Sequence, residues 1–237
     1  MRSSWAVWCA RLFRPPAIIG HCFCEDERMR AICLISGGID SPVAAHLMLS
    51  AGWELAFMHA DRQACSDRRT AEKVRALVQR LAQLHKRPLR LWWVPHGPVQ
   101  AAILNACERR LTCPLCRVHM YRAAEAIAKA EGAAALVTGE NLGQVASQTL
   151  ANLAAEDGLI GLPVLRPLLC YDKEETVAIA KAIGTYELSI APAKDCSIVP
   201  RHPVTRCSSA QLLEQIGALP GDVVERAVAQ AKAETIA

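Results

Sequence analysis

Two sets of residues in this chain have types and spacing suited to chemistry. Cys113 and Cys116 form a C-x-x-C in L-T-C-P-L-C-R, just ahead of a stretch with helical spacing, and Cys196 stands in K-D-C-S-I-V-P. A lone C-x-x-C fits zinc, a redox disulfide, an iron–sulfur cluster or chance. A closed zinc site wants four ligands, often two such pairs. Cys196 and Cys207 could complete a set but make no second pair. A thioredoxin-type dithiol lacks its usual setting near the start of the fold. The other set is Ser36-Gly37-Gly38-Ile39-Asp40-Ser41, which closes the apolar run 31–36 and opens a helical stretch. A glycine turn feeding a helix N-terminus offers unpaired N–H groups and a positive dipole end, which is an anion site. It has neither the lysine of a Walker A loop nor G-x-G-x-x-G spacing.

The elements that must hold these residues alternate. Residues 31–36, 53–60, 89–96, 133–140 and 163–170 read as strands, and 40–51, 69–84, 98–110, 118–130 and 173–184 as helices. This alternation predicts a parallel sheet covered on both faces. Asp172 with Glu175 marks a capped helix start, and Ser208 with Gln211 and Asp222 with Glu225 mark two more helices beyond Cys207.

The totals set limits. With 237 residues, 52% hydrophobic and 21% charged, the chain can bury a substantial core, and a net charge of +4 permits a nucleic-acid partner without demanding one. Eleven cysteines, an odd number without a loop-rich scaffold, read as reduced thiols in a cytoplasmic protein rather than a disulfide framework. No apolar run is long enough to span a bilayer. Residues 1–28 differ from the rest: Arg11, Arg14 and Pro15-Pro16 break any apolar targeting segment, and Met29 directly precedes the first strand. They read as a disordered extension or an over-long start. Cys33, Cys107 and Cys170 lie on apolar elements and read as small core residues.

S-G-G-x-D-S after the first strand resembles the PP-loop of the ATP pyrophosphatases. The stretches L-V-T-G-E-N-L-G-Q-V-A-S-Q-T-L-A-N-L, P-V-L-R-P-L-L-C-Y-D-K-E-E, I-G-T-Y-E-L-S-I-A-P and D-C-S-I-V-P-R-H-P-V-T follow in order. Together, over residues 32–205, they resemble the catalytic domain of the 4-thiouridine synthase (ThiI) family of tRNA sulfurtransferases. The resemblance implies an α/β, adenine nucleotide alpha hydrolase-like (HUP) three-layer sandwich with a five-stranded parallel sheet of order 3-2-1-4-5. ATP would lie outside the carboxyl ends of the strands. By motif, Leu34 and Ile35 would lie under the nucleotide, Ser36, Gly37, Gly38, Asp40 and Ser41 around the phosphates, and His59 and Ala60 at the adenine. Arg117 would be a basic ATP contact, and Gly139 and Gln148 would belong to the nucleotide-binding stretch. Asp40 would arrange Mg2+ and phosphate.

Cys196 matches the family's catalytic cysteine. Short relatives without a rhodanese domain place a C-x-x-C and this cysteine around a 4Fe-4S cluster, so Cys113, Cys116 and Cys196 would be its ligands. Three thiolates on four irons leave one iron open for a sulfur nucleophile. The expected layout is an extension over 1–28, a PP-loop domain over 29–205 and a helical tail over 206–237, with no THUMP or rhodanese region. The expected activity is ATP-dependent 4-thiouridine formation on tRNA. The expected partners are tRNA, a sulfur donor (sulfide or a persulfide-carrying desulfurase), a separate THUMP-type RNA-binding protein and a second copy of the chain. The alternatives are a PP-loop enzyme acting on a small molecule, as sulfurtransferase or amide-forming ligase, and a non-enzymatic nucleotide-binding regulator. The basic run over 62–90 reads first as a solvated face. Beside a tRNA-modifying resemblance, Arg69, Lys73 and Arg80 on one helical face form a second reading as phosphate contacts.

Overall fold

The computed structural model describes residues 29–62, 68–193 and 196–237, and the expected extension over 1–28 lies outside them. Five strands, β1 (Arg30–Leu34), β2 (Glu54–Asp61), β3 (Leu89–Pro95), β4 (Ala135–Val137) and β5 (Val164–Leu165), are parallel, in the expected order 3-2-1-4-5. The sheet is nevertheless six-stranded. β6 (Lys232–Ile236) pairs antiparallel with β3 and extends that edge. The tail is therefore not wholly helical. Only Ile236 of β6 is buried, so its apolar pattern is weak. Side-chain ties replace burial: Glu234 accepts from Arg75 Nη2 at 2.8 Å and from Trp93 Nε1 at 2.7 Å.

Helices cover both faces, because successive strand residues point opposite ways. Ala31, Cys33 and Ile35 face one core with Phe57, Leu91 and Val137. Ile32 faces the other with Met58, Val94 and Leu136. The first core is closed by α1 (Asp40–Ser50), α2 (Arg68–His85) and α6 (Lys173–Ala182). The second is closed by α3 (Gly97–Ala106), α4 (Thr112–Glu131), α8 (Ser209–Gly217) and α9 (Val223–Ala229). Two short helices add to them, α5 (Leu150–Asp157) to the second core through Ala155 and α7 (Tyr186–Ile190) against the first through Tyr186.

The capping boxes at Asp172/Glu175 and Ser208/Gln211 both form. Asp222 makes no side-chain cap and instead pairs with Arg226 at 3.2 Å. Cys33 is core, fully buried, and Cys107 is half-buried against the second core, but Cys170 is exposed and does not fit the core reading. Among the described residues all cysteines are free thiols, and no helix is long and apolar enough to cross a membrane.

The second reading of the basic helix face does not survive for two of its three residues. Lys73 Nζ donates to the Ala191 carbonyl at 2.8 Å, and Arg80 Nε donates to the Ile183 carbonyl at 2.8 Å. The guanidinium of Arg80 also lies over Gly184. This face of α2 packs on the segment around α7, so its cations tie two elements together. Arg69 remains exposed.

Candidate active site

The glycine turn sits where β1 meets α1, and its geometry is fixed by its own serines. The Ser36 N–H donates to Ser41 Oγ at 2.9 Å and the Gly38 N–H to Ser36 Oγ at 3.2 Å. The two hydroxyls lie 3.1 Å apart. Two supports come from outside: Ser189 Oγ–H donates to the Gly38 carbonyl at 3.3 Å, and the Lys73 stem lies against Gly37. A Cβ at Gly37 would stand 3.2 Å from Lys73 Cδ. Asp40 opens α1, half-buried. Burial raises its carboxyl pKa and the Lys173 ammonium pulls it back. Lys173 is the first residue of α6, delivered there by the Asp172 cap.

Gly139, two residues past the end of β4, lies against the first turn of α1. A Cβ there would stand 2.5 Å from Ser41 N and 2.7 Å from the Asp40 carbonyl carbon. Both are backbone atoms, so only glycine allows the strand to approach the loop this closely. At the end of β2, His59 is buried and its Nδ1–H donates to the Ile35 carbonyl at 2.9 Å. Burial lowers its pKa, so the ring is neutral and its other nitrogen is an acceptor.

The cysteine pair lies inside α4, not ahead of it. The helix starts at Thr112, after a 3-10 turn over Arg109–Leu111. Pro114 is tolerated there because first-turn N–H groups need no helical partner. Cys113 and Cys116 are thus one turn apart, followed directly by Arg117. Cys196 reaches them from the far end of the chain, which Asn152 anchors. Asn152 Nδ2–H bonds the carbonyls of Ser147 at 3.0 Å and Val204 at 2.9 Å, and its Oδ1 accepts from the Cys207 N–H at 2.9 Å.

Leu34, Ile35, Ser36, Asp40, Ser41, His59, Ala60, Arg117, Gly139, Gln148, Cys116 and Cys196 line one cavity of about 350 Å³. Gly37 and Gly38 belong to its loop without lining it. Cys113 is half-buried behind it, its thiol bonded to Ser147 and within the field of Arg117 and Cys196. Burial pushes the Cys116 thiol up to about 12, and Cys196 and Cys113 add to the rise. Among the described residues no three His, Cys, Asp or Glu side chains are grouped closely enough to hold a single metal ion. A cubane cluster spreads its cysteine ligands more widely than a single ion does. Cys113 and Cys116 from one helix turn, with Cys196 beside Cys116 at the cavity, are soft sulfur donors suited to iron–sulfur chemistry.

Several residues in and around the cavity were not foreseen, among them the partners of Arg117. Arg117 Nη2 and Nε bond Glu156 at 2.6 and 2.8 Å, and its Nη2 also bonds the Ser147 carbonyl at 2.8 Å. Glu140 accepts from Tyr121 OH at 2.6 Å and from Arg166 Nε at 2.6 Å. Arg166 in turn grips Asp157 through both terminal nitrogens. Burial raises the Glu156 pKa and Arg117 opposes it. Around the thiols, His96 Nε2 lies 3.2 Å from Cys116 Sγ, and Gln100 Nε2–H donates to the same sulfur at 3.7 Å. Gln100 had a sequence signal: a polar residue among Val99, Ile103 and other apolar positions of α3. Lys173 had one too, as the first residue after a cap. The carboxylates of Glu140 and Glu156 had none beyond the quoted motif.

A protein-family model described as "Thiamine biosynthesis protein (ThiI)" matches residues 27–219. A "Probable tRNA sulfurtransferase" of Thermus thermophilus is 45% identical over 208 residues, 87% of this chain and 49% of the relative. One of the same description from Moorella thermoacetica is 44% identical over 75% of this chain and 46% of its own length. The chain thus spans about half the length of these curated relatives. A solved structure described as a 4-thiouridine synthetase–RNA complex with bound ATP superposes with a TM-score of 0.85 at 37% identity, covering 88% of this chain and 55% of that one. The U34-tRNA thiolase NcsA of Methanococcus maripaludis, described with its [4Fe-4S] cluster, shares the fold at a TM-score of 0.52 and 14% identity, over 95% of this chain and 79% of that one.

Proposed function

This chain belongs to the ThiI family, and from that premise we propose that it is an ATP-dependent tRNA sulfurtransferase that makes 4-thiouridine. One observation carries the reading: the anion-ready loop and two of the three sulfur residues open into the same cavity. ATP is the ligand described for the similar 4-thiouridine synthetase, and RNA its partner. An enzyme that only bound nucleotide would need no thiols beside it.

In this reading the triphosphate lies on the backbone amides of the loop at the start of α1, where the helix dipole favours negative charge. Asp40 holds Mg2+ over the phosphates, and Lys173 balances the charge beside it. The uridine O4 attacks the α-phosphorus, the bond from phosphorus to the β-phosphate oxygen breaks, pyrophosphate leaves, and N3 gives up its proton to solvent. The amides stabilise the charge developing in that step. A sulfur nucleophile then adds at C4 and AMP departs with the former O4. Cys113, Cys116 and Cys196 would hold a 4Fe-4S cluster, which when bound supplies the site for that sulfur. Without it, Cys196 would receive sulfur as a persulfide from a persulfide-carrying donor, its outer sulfur would add at C4, and the thiol of Cys113 or Cys116 would attack the Cys196 sulfur, forming a disulfide and freeing the thiolated base. The sulfur donor, a THUMP-type partner gripping the tRNA and a dimer complete the proposal.

The test is pyrophosphate release from ATP by the anaerobically purified chain with unmodified tRNA transcripts. Release that requires uridine-containing RNA supports the reading. Release that ignores RNA and follows a small molecule transfers the chain to the small-molecule alternative.

A further inference from the structure

Gln100 projects from α3 into the cavity and is only 3% exposed. Its amide nitrogen is used, donating to Cys116 Sγ, while its oxygen Oε1 is buried and takes no hydrogen bond from the described residues. A buried acceptor of this kind is destabilising until something donates to it. The orientation of the amide follows from the sulfur. A Cys116 thiolate, on a metal or carrying sulfur, can only accept, so the NH2 end must face it. A Cys116 thiol can give its hydrogen to His96 Nε2 and still accept from the amide. In both states the oxygen is left for a ligand.

We propose that Gln100 Oε1 accepts the N3–H of the target uracil, so that Gln100 selects the base to be thiolated. This rests on the uridine reading above. Of the two ligands, ATP and the base, the base is the one that must bring its reacting carbon to the thiols. N3 is bonded to that carbon, C4, so the uracil edge arriving at the sulfur residues carries N3–H with it. Gln100 is tied to Cys116 and stands on that side. Cytosine presents a lone pair at N3 and would face the amide oxygen with no proton between them.

The experiment is a cycle between Gln100→Leu and the base. The thiolated position of a tRNA transcript is mapped with wild-type protein, and transcripts with 3-methyluridine or cytidine there are made as competitors. Two quantities are read: RNA-dependent pyrophosphate release without a sulfur donor, and the inhibition constant of each competitor. Pyrophosphate release precedes sulfur transfer, so disturbing Cys116 alone does not affect it. Expected is a fall of about tenfold or more in kcat/KM for Gln100→Leu at unchanged ATP affinity. Wild-type protein should bind the uridine transcript about tenfold more tightly than either competitor, and Gln100→Leu should bind all three alike. If wild type and variant discriminate by the same factor, the inference is overturned and the uridine reading stands. If Gln100→Leu loses ATP affinity, the oxygen belongs to the adenine and the inference is overturned. If wild-type protein releases pyrophosphate with no transcript at all, the uridine reading fails and takes the inference with it. The competitor series on wild-type protein keeps the test decisive should the variant not fold.

Discussion

Gly139→Ala tests whether the approach of β4 to the nucleotide loop is what builds the site. The added methyl would meet Ser41 N at 2.5 Å and the Asp40 carbonyl carbon and Ser41 Cα at 2.7 Å. Ordinary contact begins at 3.4 Å, so β4 and the start of α1 must separate by about 0.9 Å. Neither partner is a side chain that can rotate away. β4 is held between β1 and β5, and α1 is packed through Val43, Ala44, Ala45 and Met48 into the core. Overpacking of this kind costs about 1–3 kcal/mol. In a chain of this size that is a fall of about 2–12 °C in Tm. The larger effect falls on function, because the atoms displaced are those that face the phosphates. A misplacement of about 1 Å at reacting groups costs on the order of a hundredfold in rate. The assay is calorimetric ATP titration with pyrophosphate release, beside a melting curve. Gly217→Ala is the control, since a Cβ there meets nothing within 4 Å, and it should leave all three unchanged. A Gly139→Ala protein with wild-type ATP affinity and turnover would refute the argument.

Replacing Cys113, Cys116 or Cys196 by Ala should each lose iron and thiolation together while ATP still binds. Stoichiometric zinc and no iron in anaerobic wild-type protein would instead sink the cluster. Arg80→Ala should lower stability by about 1 kcal/mol for a lost hydrogen bond to the Ile183 carbonyl, a fall of about 2–4 °C in Tm, and leave the salt slope of RNA binding unchanged. A flattened slope would return Arg80 to the RNA surface. Glu234 has its pKa lowered by its hydrogen bond from Arg75. A carboxylate with a depressed folded pKa stabilises the fold above its unfolded value of 4.5 and loses that contribution as pH falls through the folded value. β6 amides should therefore exchange faster in acid, and in Glu234→Gln protein that acid sensitivity should vanish.

The parts of this chain that could be read from sequence are those set by local rules. Glycines before a helix start, alternation of strand residues and D-x-x-E caps act over a few residues, and the first core, the loop and α6 follow from them. The start of α4 was misplaced because Pro114 and two cysteines look like a break, although a first turn accommodates proline. β6 was hidden for the opposite reason. Its five residues bury one side chain, and its stability comes from Arg75 and Trp93, over a hundred positions away. Lys73 and Arg80 share a helical face, but no local rule says that residues 183–191 will cover it. Cys170 sits in an apolar stretch yet is exposed, because that stretch forms turns after a two-residue strand rather than a longer buried one.

Arg117 shows how a residue can be placed correctly and still need a different role. The resemblance makes it a basic ATP contact, and it does line the cavity. Its charge, however, is already committed. Both faces of its guanidinium edge are occupied by Glu156 and the Ser147 carbonyl, and Glu140 lies 3.3 Å from Nε. Glu140 is shared with Arg166, which also holds Asp157. Two guanidiniums among three carboxylates bring no surplus positive charge to a triphosphate. What Arg117 does bring is position. Through Ser147 it holds the loop that carries Gln148, whose Oε1 accepts from the Asn141 N–H at 3.4 Å. It also sits next to Cys116 on the same helix turn, so the nucleotide loop and the sulfur residues are set by one rigid element. In the proposed ATP complex, positive charge for the phosphates would then come from the amides at the start of α1, from Lys173 and from a metal at Asp40. Lys173→Ala should accordingly weaken ATP binding more than Arg117→Lys does. Arg117→Lys keeps the charge, gives up the paired bonds to Glu156 and should chiefly lower Tm. Equal losses of ATP affinity in the two variants would put Arg117 back on the phosphates.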